Sequence, residues 1–450
     1  MKKLLPFFLL LLVLAACRKE YYPDEDFTSR PAYTYSGQQV RDYFSLLCDI
    51  SKSTPGFFPP QVARAYGYVG IANYEAIVNG IPGAQSLAGQ ISGLTLSAIP
   101  TADRQLQYDW SIASNAAIAA MIRKMFDRNI TAVNSRAVDS TEQANLSAMS
   151  ASVNPDVVTR SVQYGKAVAA AIYQYSLNDG GDLSYLEPFQ LPFTMPPDPW
   201  CWVPTSAVTT PVSPKWGNNR AFIQASVDGL DKYKPKTFST SPSSPFYAEA
   251  LEVYEQVKNN TPEQKEIAKY WSDDPFATCT PTGHTFNILT QLLEENKATL
   301  EKTSVAYAKL CIAENDAFIA CWKGKFTSML IRPVSYIKQH IDPSFATVIG
   351  TPAFPSYTSG HSAEIGAGAQ IFIDMFTNGS GEYNFTDYSQ LRYGFSARSY
   401  SSFNQMAQEC ADSRFYGGIH YQMDNKEGLE MGKAVGNNVN KMINWPKNIR

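Results

Sequence analysis

A mostly α-helical fold is what this sequence predicts, and three observations predict it. Apolar residues recur at three- and four-residue steps over most of the chain, runs of small residues mark closely packed helices, and period-two alternation is scarce. Across 450 residues a 44% apolar share is ample for one large core or two moderate ones. The formal net charge of −3 lacks the basic excess of a nucleic-acid scaffold, so no nucleic-acid partner is expected. Plentiful tyrosine and phenylalanine suit a packed globular protein and not a disordered one.

Taken in order, the N-terminus reads as a targeting segment. Met1-Lys2-Lys3 is a short positive region, Leu4 to Leu14 is an apolar run too short for an ordinary membrane span, and Leu14-Ala15-Ala16-Cys17 resembles a bacterial lipobox. That resemblance implies removal of a signal peptide (1–16) and lipid attachment to Cys17. The mature protein would sit in the cell envelope, membrane-anchored outside the cytoplasm. An acidic, tyrosine-rich tether (17–36) follows. Six further cysteines (Cys48, Cys201, Cys279, Cys311, Cys321 and Cys410) match no zinc module, and spacing alone assigns no disulfide.

An N-terminal helical region (37–185) is expected next, with helices over roughly 38–52, 59–79, 103–127 and 157–176. In the second of these, Val62, Tyr66, Val69, Ala72 and Ala76 share one face. Between 186 and 245 the pattern breaks. Eight prolines fall in Pro188–Pro214, and such a segment cannot continue a helix. Trp200, Trp202 and Trp216 in this loop region line a pocket rim or cover the end of the bundle. A C-terminal helical bundle (246–450) completes the chain, with helices expected over 262–272, 284–297, 300–323, 361–376, 388–411 and 426–443.

The chemistry concentrates in the last third. Lys325 and Arg332 are seven apart, which on one helix places both on the same face, with Pro333 ending that helix. Ser359-Gly360-His361 follows a Pro- and Ser-containing turn and opens a small-residue helix, whose first amides form a seat for an anion. Ser413-Arg414 supplies a further guanidinium. His420 follows, with Asp424 one turn beyond it to orient the ring. Three cations, a hydroxyl, a glycine amide and two imidazoles are what a tetrahedral oxyanion with an in-line nitrogen ligand requires. The chain has only four histidines and two lie in this pattern; His284 and His340 are expected to be structural or loop residues.

The three-part pattern KxxxxxxRP, PSxxSGH and SRxxxxxHxxxD, over 325–424, resembles the superfamily joining type 2 phosphatidic acid phosphatases, bacterial acid phosphatases and vanadium haloperoxidases. The resemblance implies a helical bundle with an additional N-terminal layer. It implies Lys325, Arg332 and Arg414 as an oxyanion clamp, Ser359 and the Gly360 amide as its seat, and His361 as acid/base. His420 would be the nucleophile of a phosphatase or the axial vanadium ligand of a haloperoxidase. Thr358 departs from the pattern where many members have proline. Trp322-Lys323-Gly324-Lys325 and Tyr270 to Pro275 resemble the haloperoxidase branch in particular. In the second stretch an aspartate would hydrogen-bond the acid/base histidine; ungapped spacing favours Asp274, with Asp273 the alternative. Phe354 matches the chloroperoxidase type in the halide pocket.

The expected function is therefore a vanadate-dependent haloperoxidase-like enzyme acting on peroxide and halide. The alternative is a phosphatase that cleaves phosphomonoesters through a phosphohistidine and needs no cofactor. A third reading is a lipoprotein that binds a ligand without catalysis.

Overall fold

The computed structural model describes residues 28–377 and 379–449, so Cys17 and the tether up to residue 27 lie outside the described residues. The N-terminal layer holds α1 (Gln38–Ser53), α2 (Pro59–Ile77), α3 (Trp110–Met125), α4 (Ala132–Ser150) and α5 (Pro155–Ser176). Local chemistry sets these boundaries. Asp109 caps α3 by accepting from the Ser111 and Ile112 amides, so that helix begins at Trp110 and not at 103 as expected. Proline occupies the first turn of α2 and α5, where its missing N–H costs nothing. Helix α4 carries only two buried residues, too weak a periodic stripe for the sequence to reveal.

The C-terminal part comprises α6 (Pro245–Asn259), α7 (Pro262–Tyr270), α8 (Thr280–Glu295), α9 (Leu300–Ser328), α10 (Pro333–His340), α11 (Gly360–Phe376), α12 (Phe403–Tyr416) and α13 (Gln422–Met442). Helix α9 is the axle. It is buried on nearly every face, with α2 packed on one side and α11 and α13 on the other. One hydrophobic core accordingly runs through both layers, joining Tyr66 and Val69 of α2 to Leu310 and Phe318 of α9 and Ile365 of α11. A smaller cluster, including Phe246, Tyr336, Tyr357 and Tyr421, closes the bundle beneath α10. Among the described residues no helix is long and apolar enough to cross a membrane.

Helix α13 meets α11 through backbone. A methyl group added at Gly428, Gly432 or Gly436 would lie 2.9, 2.0 and 2.6 Å from the carbonyl oxygens of Ser359, Ala363 and Ala367. Only glycine at this four-residue interval lets the two axes come so close.

Two sequence expectations are corrected here. Lys325 and Arg332 do not share a helix: α9 ends at Ser328, Met329 turns left-handed at φ 51°, and Arg332 is the extended residue that precedes α10. Pro333 starts that helix at its first position instead of ending the previous one, and it favours an extended residue before it. The helix expected over 388–411 begins only at Phe403, where the Ser402 hydroxyl caps it. Before it lies an antiparallel hairpin, β1 (Glu382–Asp387) and β2 (Arg398–Ser402), pairing Phe385 with Tyr400 on its buried face.

The proline-rich segment is laced to the bundle by main-chain bonds. The Trp202 amide donates to the Met329 carbonyl and the Ile331 amide to the Trp200 carbonyl, at 2.6 and 2.7 Å. The Val212 amide donates to the Ala353 carbonyl at 2.9 Å. Trp202 and Trp216 are fully buried as packing, and Trp200 is partly exposed. A disulfide, Cys48–Cys279, ties α1 to the residue before α8, while Cys201, Cys311, Cys321 and Cys410 are buried and free.

Candidate active site

His420 precedes α13, and Asp424 lies in that helix's first turn. The Asp424 carboxylate accepts from the Tyr421 amide at 3.2 Å, a cap that fixes it beneath the imidazole. Its Oδ2 also meets His420 Nδ1 at 2.8 Å and the Ser356 hydroxyl at 2.5 Å. On the other side of the ring, Arg332 Nη1 lies 3.0 Å from His420 Nε2. A guanidinium can only donate, so Nε2 accepts and Nδ1 carries the proton to Asp424. His420 thus turns its Nε2 lone pair to the Arg332 guanidinium, at the wall of a cavity. Burial first, then Arg332, Lys325 and Arg414, holds its pKa well below the ordinary value, so the ring is neutral.

Around that lone pair stand three buried cations. Lys325 Nζ donates to the Pro355 and Ser356 carbonyls, both at 2.9 Å, which leaves a third donor. Arg332 donates to the Phe354 and Ile419 carbonyls at 2.8 and 2.9 Å, and its Nη2 has no partner. Arg414 donates to the Trp271 carbonyl at 2.5 Å, and its Nε has none. Among the described residues none of the three forms a salt bridge within 4.0 Å, although each is at most 1% exposed. Burial, with Arg332 beside it, pulls the Lys325 ammonium down to about 7. Buried cations without a counter-ion are costly, and an oxyanion is what would relieve them.

The seat is the start of α11. Ser359 caps it, its hydroxyl accepting from the Ser362 hydroxyl at 2.9 Å, and its amide donates to the Asp424 carbonyl at 3.0 Å. The Gly360 and His361 amides have no preceding helical turn to bond. A side chain at Gly360 would point between the rings of Trp322 and Phe318, both of which line the cavity here. His361 is half-buried, its Nε2 has no hydrogen-bond partner, and burial followed by Arg414 depresses its pKa well below the usual value. Phe354 stacks under the clamp, its ring centre 5.0 Å from both the Lys325 ammonium and the Arg332 guanidinium.

The two candidate aspartates part company. Asp273 is buried, with Oδ2 2.9 Å from His284 Nδ1 and Oδ1 accepting from Gln390 at 2.8 Å. Asp274 is exposed toward the cavity and close to Arg414; burial of its surroundings raises its carboxyl. The group facing the His361 ring is the Ser272 carbonyl between Trp271 and the two aspartates.

Sequence reasoning missed what holds this loop. His284, in the second turn of α8, lies between two carboxylates, with Asp387 2.9 Å from its Nε2, and stacks on Trp271 at 4.5 Å. Tyr270 donates to the same Asp387 at 2.6 Å. The paired carboxylates lift this histidine to about 10, so it is a cation. Residues 270–274 consequently meet both the clamp (Trp271 to Arg414) and His361 (Ser272) from a pinned position. Nothing in the spacing of Asp273, His284 and Asp387 announces this. Ser356, which orients Asp424, could have been found within PSxxSGH. His340 ends α10 in solvent.

This fold and this site define an enzyme of the superfamily that joins vanadium haloperoxidases and acid phosphatases. A family model described as the VCPO second helical-bundle domain matches residues 306–446. The chain superposes on the crystal structure of a bacterial vanadium-dependent iodoperoxidase with a TM-score of 0.81 and 30% identity, covering 92% of this chain and 98% of that one. It belongs to the vanadium haloperoxidase family. A bacterial vanadium-dependent chloroperoxidase in its holo form shares the fold at TM-score 0.62 and 14% identity, over 88% of this chain and 95% of that one. No curated protein sequence matches the chain.

Proposed function

We propose that the protein is a vanadate-dependent haloperoxidase that oxidises halide with hydrogen peroxide. The observation that carries this is a neutral His420, its Nε2 an acceptor facing Arg332, set among three buried cations that form no salt bridge among the described residues. The relative with iodoperoxidase activity supports the peroxide branch over the phosphate-ester branch. The donor set fits vanadate: Lys325, Arg332 and Arg414 with the Ser359 and Gly360 seat for its oxygens, and His420 Nε2 for the metal. When bound, vanadate supplies the Lewis-acidic centre at which peroxide becomes an oxidant for halide.

The chain's own residues do the rest. Asp424 keeps the proton on His420 Nδ1, so Nε2 keeps the lone pair that would hold the vanadium. His361, neutral because of its surroundings, takes a proton at Nε2 from incoming peroxide and returns it to the departing water. The clamp would hold negative charge at the cavity wall, beside the Phe354 and Trp322 rings. In the same reading Cys17 anchors the enzyme by lipid outside the cytoplasm; the Cys48–Cys279 disulfide suits such an oxidising compartment.

The test uses protein truncated before the tether and loaded with vanadate. Peroxide-dependent bromination of monochlorodimedone or oxidation of iodide is expected. Hydrolysis of p-nitrophenyl phosphate by the vanadate-free protein, with no halide oxidation after loading, would instead establish the phosphatase.

A further inference from the structure

The three cations of the clamp are not equally tethered. Lys325 is held by two backbone carbonyls, and Arg332 by two carbonyls and His420. Arg414, among the described residues, has one acceptor, the Trp271 carbonyl 2.5 Å from its Nη1, and its Nε has none. A guanidinium is a rigid planar fork, so the group that holds one arm sets where the others point. The aim of Arg414 therefore depends on what fixes Trp271.

Trp271 is 1% exposed and is fixed on two sides. The His284 ring, held between Asp273 and Asp387, lies over its indole at 4.5 Å with 24° between the planes. Its Nε1 donates to the Glu409 carboxylate at 3.0 Å. Glu409 stands on α12, the helix that carries Arg414, so one helix grips Trp271 twice, by indole and by carbonyl. The carboxylate is itself held. Arg398 of β2 meets both its oxygens, through Nε and Nη2 at 2.7 Å each, and the Tyr400 hydroxyl donates to it at 2.8 Å. Burial opposes the charge on Glu409, but the bonds from Arg398, Trp271 and Tyr400 outweigh burial and keep its carboxyl below the usual value. Glu409, Arg398 and Tyr400 all lie outside the cavity lining, so they reach a ligand there only through other residues.

We propose that Glu409 is a positioning residue for the oxyanion: by holding the Trp271 indole it fixes the Trp271 carbonyl, and through that carbonyl the aim of the Arg414 guanidinium. The next carbonyl, that of Ser272, faces His361, so the same grip extends to the acid/base histidine. The β1–β2 hairpin thereby takes part in the site from a distance, with Arg398 and Tyr400 on one strand holding Glu409 and Asp387 on the other holding His284. The proposal rests on the clamp in the reading above, and not on whether peroxide or a phosphate ester is turned over.

Calorimetric titration of the folded, vanadate-free protein with inorganic phosphate tests it. Glu409→Ala is expected to weaken binding by about ten- to a hundredfold, the scale of losing an outer partner of a ligand-holding group. Trp271→Phe keeps a ring against His284 and removes the indole N–H; it should act in the same direction, and it carries the test alone if Glu409→Ala does not fold. In an Arg414→Ala background neither change should weaken phosphate further, because the guanidinium they aim is gone. With vanadate loaded, Trp271→Phe should raise the vanadate concentration for half-maximal iodide oxidation and leave KM for iodide at the parental value. A lower Tm with parental phosphate affinity in the variants would overturn the positioning role and leave a structural one, and so would losses that add in full to that of Arg414→Ala. The predicted phosphate pattern in a protein that oxidises no halide would sustain the role of Glu409 while sinking the haloperoxidase reading. A parent that binds no phosphate would overturn the clamp and this role with it.

Discussion

Two buried histidines in this molecule have opposite surroundings. His420 faces Arg332, Lys325 and Arg414 and is held neutral, its pKa far below the ordinary value. His284 is clasped by Asp273 and Asp387 and is held positive, its pKa lifted to about 10. The His284 cluster contains its own counter-charges and is complete; it gives the fold rigidity. The His420 cluster has an excess of buried positive charge that the chain does not neutralise, and only a ligand can complete it. The difference sets a histidine that completes a structural cluster apart from one left beside unpaired cations, and it lies in what stands opposite each ring.

The sharpest way to break that distinction is His420→Ala. Halide oxidation should fall about 10³-fold or more in steady-state assays, with the far-ultraviolet circular dichroism of the parent retained. Near-normal turnover would remove His420 from its role. For the other centre, His284→Gln leaves two buried carboxylates facing each other, a loss of about 3–5 kcal/mol in chemical denaturation. The sign with pH is definite. The folded protein keeps this proton up to about 10 while an unfolded histidine releases it near 6.5, so the clasp's contribution is complete below about 6.5 and disappears as pH rises through about 10. A variant as stable as its parent at pH 7 would show that the clasp is no clasp.

A smaller effect concerns the clamp. Saturating inorganic phosphate should stabilise the vanadate-free protein, by about 2.7 kcal/mol at a hundred times Kd, and Arg414→Ala should weaken that binding by about 10²- to 10³-fold. An unchanged phosphate-dependent Tm in the variant would place the anion elsewhere. The mildest effect is on pH. Lys325 loses its proton near 7 in the ligand-free site, so phosphate affinity should fall by up to about tenfold per pH unit above that point. Lys325→Arg should flatten the dependence, and a parent with no alkaline fall would contradict the depressed ammonium.

Much of the candidate site was legible because its residue types are rare and chemically specific. Arg414, His420 and Asp424 declare a clamp, an imidazole and its orienting carboxylate at fixed short spacing, and SGH declares a helix start. Helix identity was legible wherever one face was apolar, as in α2. What could not be read depends on partners distant in the chain. Asp273 and Asp274 are adjacent and chemically alike; His284 and Gln390, on other elements, are what claim the first of them. The Cys48–Cys279 bond spans 231 residues, and spacing carries no trace of it. Lys325 and Arg332 converge across a helix break because Pro333 starts a helix as readily as it ends one.

The glycine seam between α11 and α13 has a consequence for how this enzyme can change. Ser359, at one end of the seam, and His420, just before α13, are spaced by the carbonyl oxygens of Ser359, Ala363 and Ala367 lying against Gly428, Gly432 and Gly436. Such a spacing has little adjustable part: mutation can change the walls of the cavity, Phe354 among them, but it cannot easily widen or narrow the gap between the start of α11 and His420 by degrees. New specificities should therefore arise in the cavity lining, and directed evolution aimed at this protein would do best to leave the seam alone and vary lining residues such as Phe58, Phe189 and Val208.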